Sequence, residues 1–151
     1  MNGGNAEAKL KTGLLHFQRG EFDAAEPPLR ELAAQNIAIA TYYLGAICRL
    51  RDHDNDAALQ WFRTGAAQGQ TNCMFELGTW AFTQQDFDSA RYWLGRAAEA
   101  GAVNAMLNLG SVLLISGDRE AARKWWQRAA KQGNGSEKAQ AKLILQQNFP
   151  S

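Results

Sequence analysis

The sequence predicts an all-α fold, an α-α superhelix or solenoid of four helix-turn-helix repeats followed by a C-terminal capping helix. Three observations carry that expectation: a block that recurs without gaps at a fixed interval, apolar residues at helical spacing within it, and regular punctuation by aspartate before the block and glycine at its end. The block runs Ala58–Gly69, Ala90–Gly101 and Ala122–Gly133, 32 residues apart each time, and reads A-x-x-W-[FLW]-x-x-[AG]-A-x-x-G. Upstream of each copy stands a Leu-Gly pair: Leu44-Gly45, Leu77-Gly78 and Leu109-Gly110. A chain of 151 residues and 16.6 kDa has room for one domain or one short repeat array.

Residues 1–5 read as a flexible lead into a single repeat domain over 6–148. The first repeat, about 6–36, is divergent. Gly13 lies 32 residues before Gly45 and Ala25 lies 33 before Ala58, but Pro27-Pro28 stands where the other copies bring tryptophan. Asp23-Ala24-Ala25-Glu26 resembles a capping box that would start the second helix late, so a shortened or kinked helix is expected. The second repeat, 37–69, carries one extra residue in the loop around Asp52 to Asp54. The third and fourth occupy 70–101 and 102–133. In the last, Ala105, Leu109, Val112 and Leu113 fall on one helix face, with Trp126, Ala129 and Ala130 on its partner. Asp54, Asp86 and Asp118 recur at 32 residues as N-caps of the second helices, and Gly69, Gly101 and Gly133 are expected to stop those helices through positive φ.

The glycine of each Leu-Gly pair sits inside a first helix, where it costs about 1 kcal/mol relative to alanine. Close helix approach would offset that, with Trp61, Trp93 and Trp125 expected to lie over the bare backbone. Residues 136–148 complete the array as an amphipathic cap, with Ala139, Leu143 and Leu145 inward and Glu137, Lys138, Lys142 and Gln146 outward.

The block and the N-A-x-x-x-L-G run Asn104–Gly110 resemble the Sel-like (Sel-one type) repeat family, a relative of the tetratricopeptide repeats, and the first copy, with Gly13, Gly20, Phe22 and Ala25, looks closer to the latter. The likeness covers nearly all of residues 6–133. The period of 32 is shorter than the 34 of tetratricopeptide repeats, and the cysteine pairs of secreted Sel-like proteins are missing. The resemblance implies a right-handed superhelix, bacterial in style, that scaffolds protein complexes, without a family-wide catalytic residue to carry over.

Composition narrows the chemistry further. A net charge of +1 gives no global attraction to nucleic acid or an anionic membrane, and no apolar run approaches the length of a membrane span. Without a leader the chain would be cytoplasmic by default, or periplasmic if a leader has been removed. Cys48 and Cys73 have no ligand-like spacing and read as small buried apolar residues. His16 aligns with Cys48, Ala81 and Leu113 and reads as packed. Asp52-His53-Asp54-Asn55-Asp56 lacks the glycine and terminal glutamate of a calcium loop and reads as a capping turn. Gly133-Asn134-Gly135 follows no strand, so it is no nucleotide site. The basic side chains Arg119, Arg123, Lys124, Arg128 and Lys131 read as a solvated outer face. No enzyme, metal site or cofactor is expected.

Function is then expected on the surface. In superhelices of the resembling kind the first helices line the concave groove, and the corresponding positions here are Leu10, Leu14 and Phe17; Tyr42, Ala46 and Arg49; Asn72, Phe75, Thr79 and Phe82; Asn104, Leu107, Ser111 and Leu114. Aromatic anchors with Arg49 or Asn72 at the backbone would suit a peptide segment of another protein. The expected role is a non-enzymatic scaffold or adaptor. The alternative is a self-associating module, a homo-oligomer built through its end surfaces.

Overall fold

A computed structural model describes residues 3–150. Among them are nine helices and no strand: α1 Gly3–Gln18, α2 Phe22–Ala34, α3 Ala38–Leu50, α4 Asn55–Ala67, α5 Thr71–Thr83, α6 Phe87–Glu99, α7 Val103–Ile115, α8 Arg119–Gln132 and α9 Gly135–Asn148. The chain divides between Cys73 and Met74, inside α5, into two compact units. The repeat spacing leaves residues 1–5 outside the domain; Gly3, Gly4 and Asn5 instead form the first turn of α1, and Met1 and Asn2 lie outside the described residues.

In the first unit α1 packs on α2, α2 on α3 and α3 on α4. Its core is Ala25, Leu29, Leu32, Ala40, Leu44 and Ile47, walled by half-buried Phe17, Phe22, Tyr43 and Trp61. Arg51 ties the hairpins together, donating to Asp23 Oδ1 at 2.9 Å and Glu26 Oε2 at 2.7 Å while its fork grips Asp52 at 2.6 and 2.9 Å. Asp23 is therefore no cap. Helix α2 starts earlier, after Glu21, which makes no side-chain cap bond. At 13 residues α2 is as long as α3 and α4, with Pro27 and Pro28 both beyond its first turn, where each removes an intrahelical bond.

In the second unit α6 packs on α7, α7 on α8 and α8 on α9. All four expected face residues of α7 are buried, as are Trp126 and Ala129 of α8. The capping helix lies at a different rotation from the expected one. Ala141 is its buried residue and Ile144 and Leu145 are half-buried, whereas Ala139 is exposed and Leu143 is 53% exposed. Phe149, just past α9, closes over the Trp126 ring at 6.3 Å.

One closure recurs in each hairpin. His16, Cys48, Ala81 and Leu113, the four aligned positions, give their carbonyls to the N–H of Glu21, Asp54, Asp86 and Asp118 at 2.9, 3.0, 3.0 and 2.9 Å. The extra residue of the α3–α4 loop lies inside that closure. Asp54, Asp86 and Asp118 cap as expected, accepting from Ala57, Ser89 and Ala121 N–H at 2.9, 3.1 and 3.1 Å. Gly69 and Gly101 have φ of 85° and 95°, but Gly133 has φ of −69° and is excluded from larger residues by the Ala129 carbonyl, 2.8 Å from where a Cβ would stand.

The helix-interior glycines do mark close approach, but Trp61, Trp93 and Trp125 do not fill the notches. A Cβ on Gly45, Gly78 or Gly110 would meet Phe62 at 2.5 Å, Leu94 at 2.6 Å or Trp126 at 2.3 Å, and one on Gly13 would meet Leu29 at 3.1 Å. These are the residues one place after Trp61, Trp93, Trp125 and Pro28. Trp61, Trp93 and Trp125 are half-buried, with arginines over their rings: Arg30 on Trp61 at 5.7 Å, Arg96 on Trp93 at 5.7 Å and Arg128 on Trp125 at 5.0 Å.

Candidate functional site

The expected binding residues fall into three groups when placed on the structure. Some serve packing. Phe17 meets Tyr43 at 5.0 Å and Phe22 at 5.6 Å between ring centroids, inside the wall of the first core. Leu107 is only 4% exposed, and its carbonyl accepts from both the Trp126 indole Nε1 at 3.0 Å and the Ser111 hydroxyl at 3.3 Å, so its side chain belongs to the interior of the second unit and not to a groove. Ala46 is buried as well.

A second group is half-buried and keeps one side toward solvent. Tyr42 and Arg49, on one face of α3, are brought together around the Phe62 ring at 6.2 and 5.4 Å. In the second unit Phe75 and Thr79 are half-buried, Phe82 rests on Phe87 at 6.0 Å, and Ser111 and Leu114 are half-buried on α7. The third group is open: Asn72 and Asn104 are exposed at the starts of α5 and α7.

On α1, Leu10 and Leu14 join Leu15, Glu7, Lys11 and Gln18 to line an open depression of about 470 Å³. Leu15, 44% exposed, is a lining residue that repeat alignment passes over. It lies one step off the repeat positions, and the signal that would find it is the doubled leucine Leu14-Leu15 on a helix whose first turn carries no acid. The lining is mostly apolar while Glu7 and Lys11 supply both signs of charge, a surface suited to an amphipathic segment.

Titratable groups elsewhere serve structure. Hydrogen bonding from Arg51, with Arg30 adding to it, holds Glu26 below the usual carboxylate range against the opposing pull of partial burial. The Ser89 hydroxyl and N–H lower Asp86 in the same sense, consistent with its capping role. Cys73 is buried, whereas Cys48 is half-buried beside Trp61 and Arg30, with desolvation pushing its thiol up. His16 is half-buried with Nδ1 2.5 Å from Glu21 Oε2. Among the described residues no group of three or more His, Cys, Asp or Glu is placed to hold a metal ion, and no helix is long and apolar enough to cross a membrane.

The tetratricopeptide repeat pattern matches residues 10–72 and again 75–137. No curated protein sequence matches the chain. Among solved structures, a protective antigen of uropathogenic Escherichia coli strains displaying an SLR fold is similar over 97% of this chain, at 25% identity and a TM-score of 0.79. This chain spans 34% of that antigen's length. A Sel1 repeat protein from Oxalobacter formigenes is similar over 76% of this chain and 94% of its own, at 28% identity and a TM-score of 0.64. PilF of Pseudomonas aeruginosa shares the fold over 94% of this chain and 69% of its own, at 19% identity and a TM-score of 0.68. The paired helices, the glycine notches and these two matched spans make the chain a member of the tetratricopeptide repeat family, of the Sel-like kind.

Proposed function

We propose that this protein is a non-enzymatic interaction scaffold or adaptor that binds a segment of another protein along its first helices, in the concave groove expected of such repeats. Repeats of this family generally mediate protein–protein contact, and the observation that carries the reading here is the open apolar depression of α1, where Leu10 and Leu14 are joined by exposed Leu15. Half-buried Tyr42 and Arg49 on α3 supply the aromatic and cationic contacts that suit the same ligand.

The test is partner capture by the full chain against Leu14→Glu and Leu15→Glu variants, with far-UV circular dichroism as the folding control. Loss of one saturable partner at unchanged helicity supports the reading. Capture that is indifferent to both substitutions removes α1 from the binding surface.

A further inference from the structure

The charge of the chain is unevenly spread. Residues 119–142 hold the five cations of α8 together with Lys138 and Lys142, against Glu120 and Glu137, a formal +5 in a chain whose total is +1. Within that stretch Arg128 is paired with Glu99 at 3.3 Å and Arg119 donates to the Asn148 carbonyl. Arg123 differs from both. Its guanidinium lies over the Phe149 ring at 5.3 Å, beside Arg119 over the same ring at 4.5 Å, and among the described residues nothing accepts a hydrogen bond from it or neutralises it.

A guanidinium over an aromatic ring is attracted by the ring's electron-rich face, a contact that needs no carboxylate or carbonyl partner. Arg123 is exposed beside that ring, and among the described residues no protein group accepts from its N–H donors. It stands at the edge of an open depression of about 350 Å³ between α8 and α9, lined also by Gln127, Gln146, Leu145, Phe149 and Pro150. Two amides and an apolar floor surround a pre-positioned cation.

From this geometry we infer that the α8–α9 surface is a second docking site, separate from the first helices, for an acidic-apolar peptide segment whose carboxylate pairs with Arg123 while a neighbouring apolar side chain rests on Leu145. Charge complementarity selects the occupant. A nucleic acid would need open aromatic faces for its bases, and here Phe149 is covered by two arginines and Trp125 by Arg128. A second copy of this chain also carries exposed carboxylates, Asp56 and Asp88 among them, and light scattering distinguishes that occupant.

The experiment is fluorescence anisotropy of the full chain with a labelled peptide alternating aspartate and leucine, a control peptide alternating asparagine and leucine, and a labelled oligothymidine. The aspartate peptide should bind saturably and more weakly as salt rises. Arg123→Gln should loosen it by about tenfold, the loss of one charge-assisted hydrogen bond. Arg123→Lys, which keeps the charge but not the guanidinium fork, should recover only part. Equal binding of the asparagine peptide, equal binding of oligothymidine, or full retention in Arg123→Gln each overturns the proposal. So does a concentration-dependent dimer in light scattering that Arg123→Gln abolishes, since the occupant would then be a second copy.

Discussion

Two glycines inside helices are expected to respond to alanine with opposite signs. Gly110 lies inside α7 and Gly95 inside α6. In a helix interior, glycine to alanine is worth about 1 kcal/mol of stabilisation from the backbone alone. At Gly95 a Cβ meets nothing within 4 Å, so Gly95→Ala should realise that gain. At Gly110 the same methyl would stand 2.3 Å from Trp126 Nε1, 2.5 Å from Cε2 and 2.7 Å from Cδ1. Trp126 is 1% exposed and its Nε1 is already committed to the Leu107 carbonyl at 3.0 Å, so it cannot swing aside into solvent. Overpacking of a filled site costs about 1–3 kcal/mol, and displacing the indole also strands a buried donor at about 1–3 kcal/mol. Net of the helix gain, Gly110→Ala should destabilise by about 1–5 kcal/mol. Urea unfolding followed by far-UV circular dichroism reads both variants. A Gly110→Ala protein as stable as the parent would refute the notch argument for all four repeats.

Other outcomes follow from the same structure. Leu94, fully buried over Gly78, should lose about 2–5 kcal/mol on change to alanine, and half-buried Trp93 should lose less; the reverse order in urea midpoints would return the tryptophans to the core. Gln85 adopts φ of 60° where the equivalent residue of the last hairpin is Gly117 at 87°, so Gln85→Gly should stabilise by about 1 kcal/mol, and a lowered thermal midpoint would count against it. Glu26 has a folded-state pKa depressed below the ordinary 4.5, chiefly by Arg51. Its stabilising contribution is therefore complete above 4.5 and lost as pH falls from there through the lower folded value. Glu26→Gln should flatten that acid limb of the stability profile, and an unaltered limb would show that the pair adds nothing.

The hairpin count, the caps at Asp54, Asp86 and Asp118 and the loop that carries the extra residue were legible in the chain because each depends on neighbours in sequence. An N-cap bonds a backbone group three residues on, and a repeat interval constrains where a helix must end and the next begin. The groove was only partly legible. Alignment placed Leu10, Tyr42 and Phe82 at half-exposed sites, yet placed Leu107 with them although the Trp126 indole holds it inside.

By itself, then, the sequence determined four helical hairpins with a terminal cap and the positions of their glycine notches. Tertiary structure decided what fills those notches: Phe62, Leu94 and Trp126 and not the tryptophans one place earlier. It likewise set α9 with Ala141 inward and Leu143 outward, and placed Arg123 over the Phe149 ring with no acceptor among the described residues. The physical reason is common to all three. One residue along a helix turns a side chain through about 100°, so adjacent apolar residues look alike in a repeat, and only the facing helix selects the one it buries.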